Sequence, residues 1–234
     1  MLVKVLVVSM VAALSGAAAA ITQPAPVSAA RQDVPPWPDT FVARLEALAL
    51  IQTLNAEILA SRSATASLES WCRDHRLADE PKIVAQVLPG TAPAPTVEQR
   101  RRLDVSDRED VLYRHVQLRC GVHVLSDAEN WYVPQRLTVD MNRLLDTTTT
   151  PFGKAVESLE PYRRTFAVTL LWTPLAPGWE RAPNAPAATT VSTLAIPEAL
   201  FEHRALLYTR EHRPFSEVHE VYQRELLAFP PRLR

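Results

Sequence analysis

Apolar positions recur at threes and fours through Phe41, Leu45, Leu48, Ile51, Leu54 and Ile58, which predicts an amphipathic helix of about five turns from Thr40 onward. Ser61-Arg62-Ser63 interrupts it, and Ser63 is placed to cap a second helix carrying Ala66, Leu68, Trp71 and Cys72. Lys82 to Leu88 is β-rich and predicts a first strand, Gly90 to Pro95 a stiff loop, and Val97 to Asp110 a charged, irregular or partly helical segment. At Leu112 the period changes to two. Leu112, Arg114, Val116 and Leu118 fall on one side of a strand, Tyr113, His115, Gln117 and Arg119 on the other. Gly121 breaks the run, and the acidic stretch Ser126 to Asn130 reads as a turn into Trp131-Tyr132-Val133. Thr138 is suited to cap a helix through Met141, Leu144 and Leu145. Thr150-Pro151-Phe152-Gly153 has the form of another helix start, with Thr150 as the hydroxyl cap. Tyr162 to Trp172 predicts a long strand and Pro174 to Thr190 a surface loop. Phe201 to Arg210 and Ser216 to Leu226 predict the two last strands. The sum is an α+β fold, an antiparallel sheet of about six strands with helices packed on one face.

Composition sets the chain's limits. The N-terminus has the form of an export signal: Lys4, an apolar run from Val5 to Ala20, and small residues at Ala18 to Ala20, with a second small-residue site at Ser28 to Ala30. Residues 1–20 are therefore expected to be a signal peptide, with cleavage as late as 30 also compatible. Residues 21–39 are expected to be a disordered Pro- and Ala-rich leader, and 40–234 one domain. The apolar run is short for a span, so no stable membrane helix is expected after cleavage, and the protein is expected to be exported, periplasmic or secreted. With 25 basic residues against 26 acidic and no basic stripe, nucleic acid is not an expected partner. In an oxidising compartment Cys72 and Cys120 are either one disulfide or two buried thiols.

Candidate chemistry centres on Arg114. A guanidinium on an apolar strand face needs a carboxylate, a ligand anion or a route to water. In the last strand, Val218, Glu220 and Tyr222 share a side, which makes Glu220 an ionisable group of opposite sign among semi-apolar neighbours. No nucleophile elbow, P-loop, dinucleotide fingerprint or zinc-helix motif is present, so neither metal nor cofactor is expected.

Several blocks carry a resemblance. Ser63 to Leu68, Tyr113-Arg114-His115-Val116, Trp131 to Arg136, Thr150-Pro151-Phe152-Gly153-Lys154, and Arg213-Pro214 followed by Glu220 resemble blocks of the chorismate lyase family. That family's sheet-based relatives include ligand-sensing (UTRA-like) domains of bacterial transcription regulators. Arg62 stands where the family has glycine, and Glu220 is one residue late. The resemblance implies a chorismate lyase-like fold. It also implies Arg114 and Glu220 as catalytic residues, with Arg114, Phe152 (through its backbone), Gly153 and Arg136 binding substrate. The implied reaction eliminates pyruvate from chorismate, or a related carboxylated ring, to give 4-hydroxybenzoate. The alternatives are an exported, non-catalytic binding protein for a small aromatic or cyclic carboxylate, and a cell-envelope interaction module in which Arg114 pairs only with Glu220.

Overall fold

The computed structural model describes residues 36–181 and 192–232. The expected signal peptide, residues 21–35 of the expected leader and residues 182–190 of the expected loop lie outside the described residues. The leader's last residues belong to the fold, which corrects the domain start. Trp37 is 1% exposed, and its Nε1 donates to the carbonyls of Leu227 and Phe229, so one indole ties the start of the domain to its end.

The two predicted helices form as α1 (Phe41–Ala60) and α2 (Ala64–Asp74). Thr40 and Ser63 cap them through their hydroxyls. Next come β1 (Ile83–Val87) and α3 (Val97–Arg102), the latter opened by a reciprocal Thr96–Gln99 capping box. The chain then makes β2 (Leu112–Cys120), β3 (His123–Tyr132), α4 (Val139–Thr147) and the single-turn α5 (Phe152–Ala155). It ends with β4 (Tyr162–Leu170), β5 (Ala199–Tyr208) and β6 (Pro214–Gln223). The six strands form one antiparallel sheet in the order β1-β2-β3-β6-β5-β4.

Two local expectations are corrected. Ser126 to Asn130 is not a turn but the middle of β3. The reversal is made earlier, at Gly121, whose φ of +55° suits glycine and where a Cβ would come within 2.9 Å of the Ala78 side chain. Its acidic residues face outward and are satisfied there, Asp127 by His115, Glu129 by Tyr113 and His219. Thr150 does not cap α5. Pro151 occupies that position without a side-chain bond, while the Thr150 hydroxyl accepts from Thr148.

The helix-covered face of the sheet holds the largest core, where Leu54, Ile58, Leu68 and Ile83 meet Phe201 and Tyr222. A second cluster joins α4 and α5 to Tyr132, Phe215 and Val218. One helix departs from the one-sided arrangement. The end of α3 lies on the opposite face, where Leu103 packs with Trp131, Val133 and Leu206 and Arg102 pairs with Glu217 at 2.7 Å. Cys72 of α2 and Cys120 of β2 form a disulfide with a Cα–Cα distance of 6.2 Å.

Candidate functional site

A narrow cavity of about 60 Å³, opening to solvent on one side, lies between the sheet and the N-terminal ends of α2 and α5. Its floor comes from neighbouring strands: Arg114, Val116 and Leu118 of β2, Ala128 and Asn130 of β3, Val218 and Glu220 of β6, Leu207 of β5 and Arg163 of β4. Register explains why these residues converge. Arg114 stands opposite Asn130, which stands opposite Val218, and in the next row Val116 faces Ala128, which faces Glu220. Because side chains alternate, all of them point to the helix side. Arg62, Ser63, Thr65, Phe152 and Gly153 close the other wall.

The arginine singled out from the strand pattern is 7% exposed. Its Nη2 donates to the carbonyl of Thr150 at 3.3 Å, while Nε and Nη1 are buried without a partner among the described residues. Burial pushes the guanidinium's pKa down, opposed by the negative character of Tyr132 and Asp146. Arginine nevertheless keeps its charge. The cavity wall therefore carries a cation with two idle donors.

Glu220 also lines the cavity and is 6% exposed, but it does not pair with Arg114. Arg163 Nη2 donates to Glu220 Oε2 at 2.6 Å, and the Tyr222 hydroxyl donates to the same oxygen at 3.0 Å. Both side chains of the pair are nearly fully buried. Tyr222, fully enclosed and beside a carboxylate, has its pKa pushed well above the ordinary tyrosine value. Behind this group, buried His203 bonds through Nε2 to Asn55 Oδ1 at 2.7 Å. Glu220 is thus held as a hydrogen-bond acceptor with one oxygen already engaged twice.

Phe152 and Gly153 also line the cavity. Gly153 is needed there: a Cβ would lie 3.0 Å from Ser63 Oγ and 3.1 Å from Thr65 Oγ1, so its absence lets α5 approach α2. Arg136 is not at the cavity, which corrects its expected role. Its guanidinium donates to the carbonyls of Leu103, Asp104 and Pro214 and to Glu109, fastening the segment after α3 to the start of β6. Arg163 and Asn130 were not singled out by the sequence pattern. The alternation of Tyr162-Arg163-Arg164-Thr165 puts Arg163 beside Thr165 on one face, a signal blurred by the β-bulge between Thr165 and Ala167.

No family model matches the chain. It is 45% identical over 195 residues to the uncharacterized protein y4mC of Sinorhizobium fredii (strain NBRC 101917 / NGR234), across 83% of this chain and 82% of that protein. This chain belongs to the y4mC family. Among solved structures, the chain is similar to the ligand-binding domain of a putative GntR-family transcriptional regulator from Bordetella bronchiseptica. The two share 17% identity over 60% of this chain and 82% of that one, at a TM-score of 0.39. The effector domain of PhnF from Mycobacterium smegmatis is similar at 11% identity over 70% of this chain and 89% of that one, TM-score 0.44. At those values the likeness says nothing about ligand or activity.

Proposed function

We propose that this y4mC family member binds a small aromatic or cyclic carboxylate in the cavity between the sheet and α2. The observation that carries the reading is Arg114, a buried cation that lines the cavity and whose Nε and Nη1 have no partner among the described residues. Leaving a buried donor unmade costs about 1–3 kcal/mol, more when it is charged, so an acid group has much to gain there. The walls between Arg114 and Glu220 are apolar, formed by Val116, Ala128, Phe152, Leu207 and Val218, and suit a ring. Glu220, held as an acceptor, suits a hydroxyl on the ligand's far side. We also propose that the protein works in an oxidising compartment outside the cytoplasm, a reading supported by the Cys72–Cys120 bond.

A second reading, elimination of pyruvate from chorismate, is favoured by one observation: Arg114 and Glu220 share the cavity. Against it stands the engagement of Glu220 by Arg163 and Tyr222, which suits binding better than proton transfer.

Titration with 4-hydroxybenzoate, followed by calorimetry and thermal shift, tests the binding reading, since a ligand of the folded state raises apparent stability. Saturable binding that disappears in Arg114→Met is the expected result. The absence of binding by benzoate, 4-hydroxybenzoate and chorismate alike would overturn it. Formation of 4-hydroxybenzoate from chorismate, read by ultraviolet absorbance, would establish the lyase reading instead.

A further inference from the structure

Asn130 stands directly opposite Arg114 across the β2–β3 ladder, lines the same cavity and is 5% exposed. Its Oδ1 accepts a hydrogen bond from Ser216 Oγ at 2.5 Å, and Ser216 itself is fully buried. With Ser216 donating to Oδ1, the amide stands with its oxygen toward β6 and its nitrogen away from it. Nδ2 has no partner. Three buried donor atoms, Arg114 Nε and Nη1 and Asn130 Nδ2, thus lie on adjacent strands without an acceptor.

We propose that Asn130, its amide oriented by Ser216, is a second ligand-reading residue that works with Arg114 to select a carboxylate over the corresponding carboxamide. The proposal rests on the reading of Arg114 as an acid-binding residue. A carboxylate offers lone pairs on both oxygens and matches a surface made only of donors. A carboxamide has to place its own NH2 against one of those donors, leaving two donors face to face in a buried setting. Arg114 alone supplies charge; Asn130 adds the requirement that the second atom of the acid group also be an acceptor. Ser216 is a positioning residue. Without its hydroxyl the amide is free to turn Oδ1 into the cavity, where it accepts from a carboxamide and repels a carboxylate.

The full chain is titrated with 4-hydroxybenzoate and with 4-hydroxybenzamide, and the ratio of the two affinities is measured for wild type, Asn130→Asp and Ser216→Ala. Wild type favours the acid by at least about tenfold, the scale of one charge-assisted hydrogen bond. Ser216→Ala, checked for native circular dichroism, moves that ratio about tenfold toward the amide, on the same scale. Asn130→Asp gives Arg114 a carboxylate across the ladder, so acid binding is lost while the unliganded protein melts no lower than wild type. A merely structural Asn130 predicts the reverse pattern, a lower melting temperature with the acid-to-amide ratio unchanged, and that result overturns the proposal. Acid binding that Arg114→Met abolishes and both other variants keep overturns it alone. A wild type that binds no acid overturns the underlying reading as well.

Discussion

Arg163 Nη2 and Glu220 Oε2 lie 2.6 Å apart although β4 and β6 are separated in the sheet by β5. Both side chains have left water, with side-chain exposures of 4% and 8%. Burial lowers the arginine's pKa, and Glu220 and Tyr222 beside it more than restore it, so the guanidinium keeps its charge. Removing one member leaves the other charge buried and alone. Arg163→Met is therefore expected to lower unfolding stability by about 3–5 kcal/mol, whereas Arg163→Met with Glu220→Gln recovers most of the loss. Urea unfolding of both variants decides: equal losses in the single and the double variant would dispose of the coupling.

Arg114 predicts the opposite sign. Its guanidinium is buried with two idle donors, so the free protein bears a cost that a ligand is positioned to relieve. Arg114→Met keeps much of the volume and removes the charge, and is expected to raise unliganded stability by about 1–3 kcal/mol. It does so while abolishing any stabilisation by added 4-hydroxybenzoate. Thermal unfolding with and without that compound reads both effects, and a destabilised variant would show that Arg114 is a structural residue.

These contrasting roles mark how much the sequence disclosed. Arg114 was legible because a strict alternation bounded by Gly121 needs no knowledge of the rest of the fold. Ser126 to Asn130 reads as a turn because its acidic residues cluster, while their partners His115, Tyr113 and His219 sit on other strands. The sequence hides Arg163 for a similar reason, since its carboxylate is 57 residues away and a bulge breaks its strand's pattern. Arg136 followed a block resemblance to the wrong place, because nothing local says that a guanidinium will turn to three carbonyls. Trp37 was hidden in a Pro-rich stretch whose composition outweighed its one large apolar side chain.

His203 sets a pH limit. Burial first, and the Arg163 charge second, push its pKa from 6.5 down to about 4, with Glu220 opposing. The folded state therefore resists a proton that the unfolded chain accepts. Stability from this residue is complete above about pH 6.5 and is lost as pH falls toward 4. At roughly 1.4 kcal/mol per pH unit the loss approaches about 3 kcal/mol. Unfolding at pH 7, 5.5 and 4.5 should show a shallower decline in His203→Gln than in wild type. Parallel declines would remove His203 as the cause.

The Cys72–Cys120 bond closes a loop across a sequence separation of 48 residues. Chain-entropy reasoning assigns such a bridge about 4 kcal/mol, mostly by restricting the unfolded state. Reductant, or Cys72→Ala with Cys120→Ala, should lower the urea midpoint accordingly. Because α2 carries cavity residues Ala64 and Thr65 at one end and Cys72 at the other, reduction should also weaken binding of 4-hydroxybenzoate. Unchanged affinity after verified reduction would show that β2 and α2 hold the cavity without the bridge.

Gly153 offers the most local test of where the ligand enters. It lines both the cavity and the adjoining surface depression that Arg62, Glu69 and Lys154 border, so it stands between the inside and the solvent. A Cβ there meets Ser63 Oγ at 3.0 Å and Thr65 Oγ1 at 3.1 Å, tight contacts to side chains at the start of α2. Gly153→Ala should force α5 and α2 apart by a few tenths of an ångström, at about 1 kcal/mol of stability. Gly153→Val, with two further methyl groups at the rim, should slow association of 4-hydroxybenzoate more than it lowers the melting temperature. Stopped-flow binding separates the two: unchanged association in Gly153→Val would mean that the ligand reaches Arg114 by another opening.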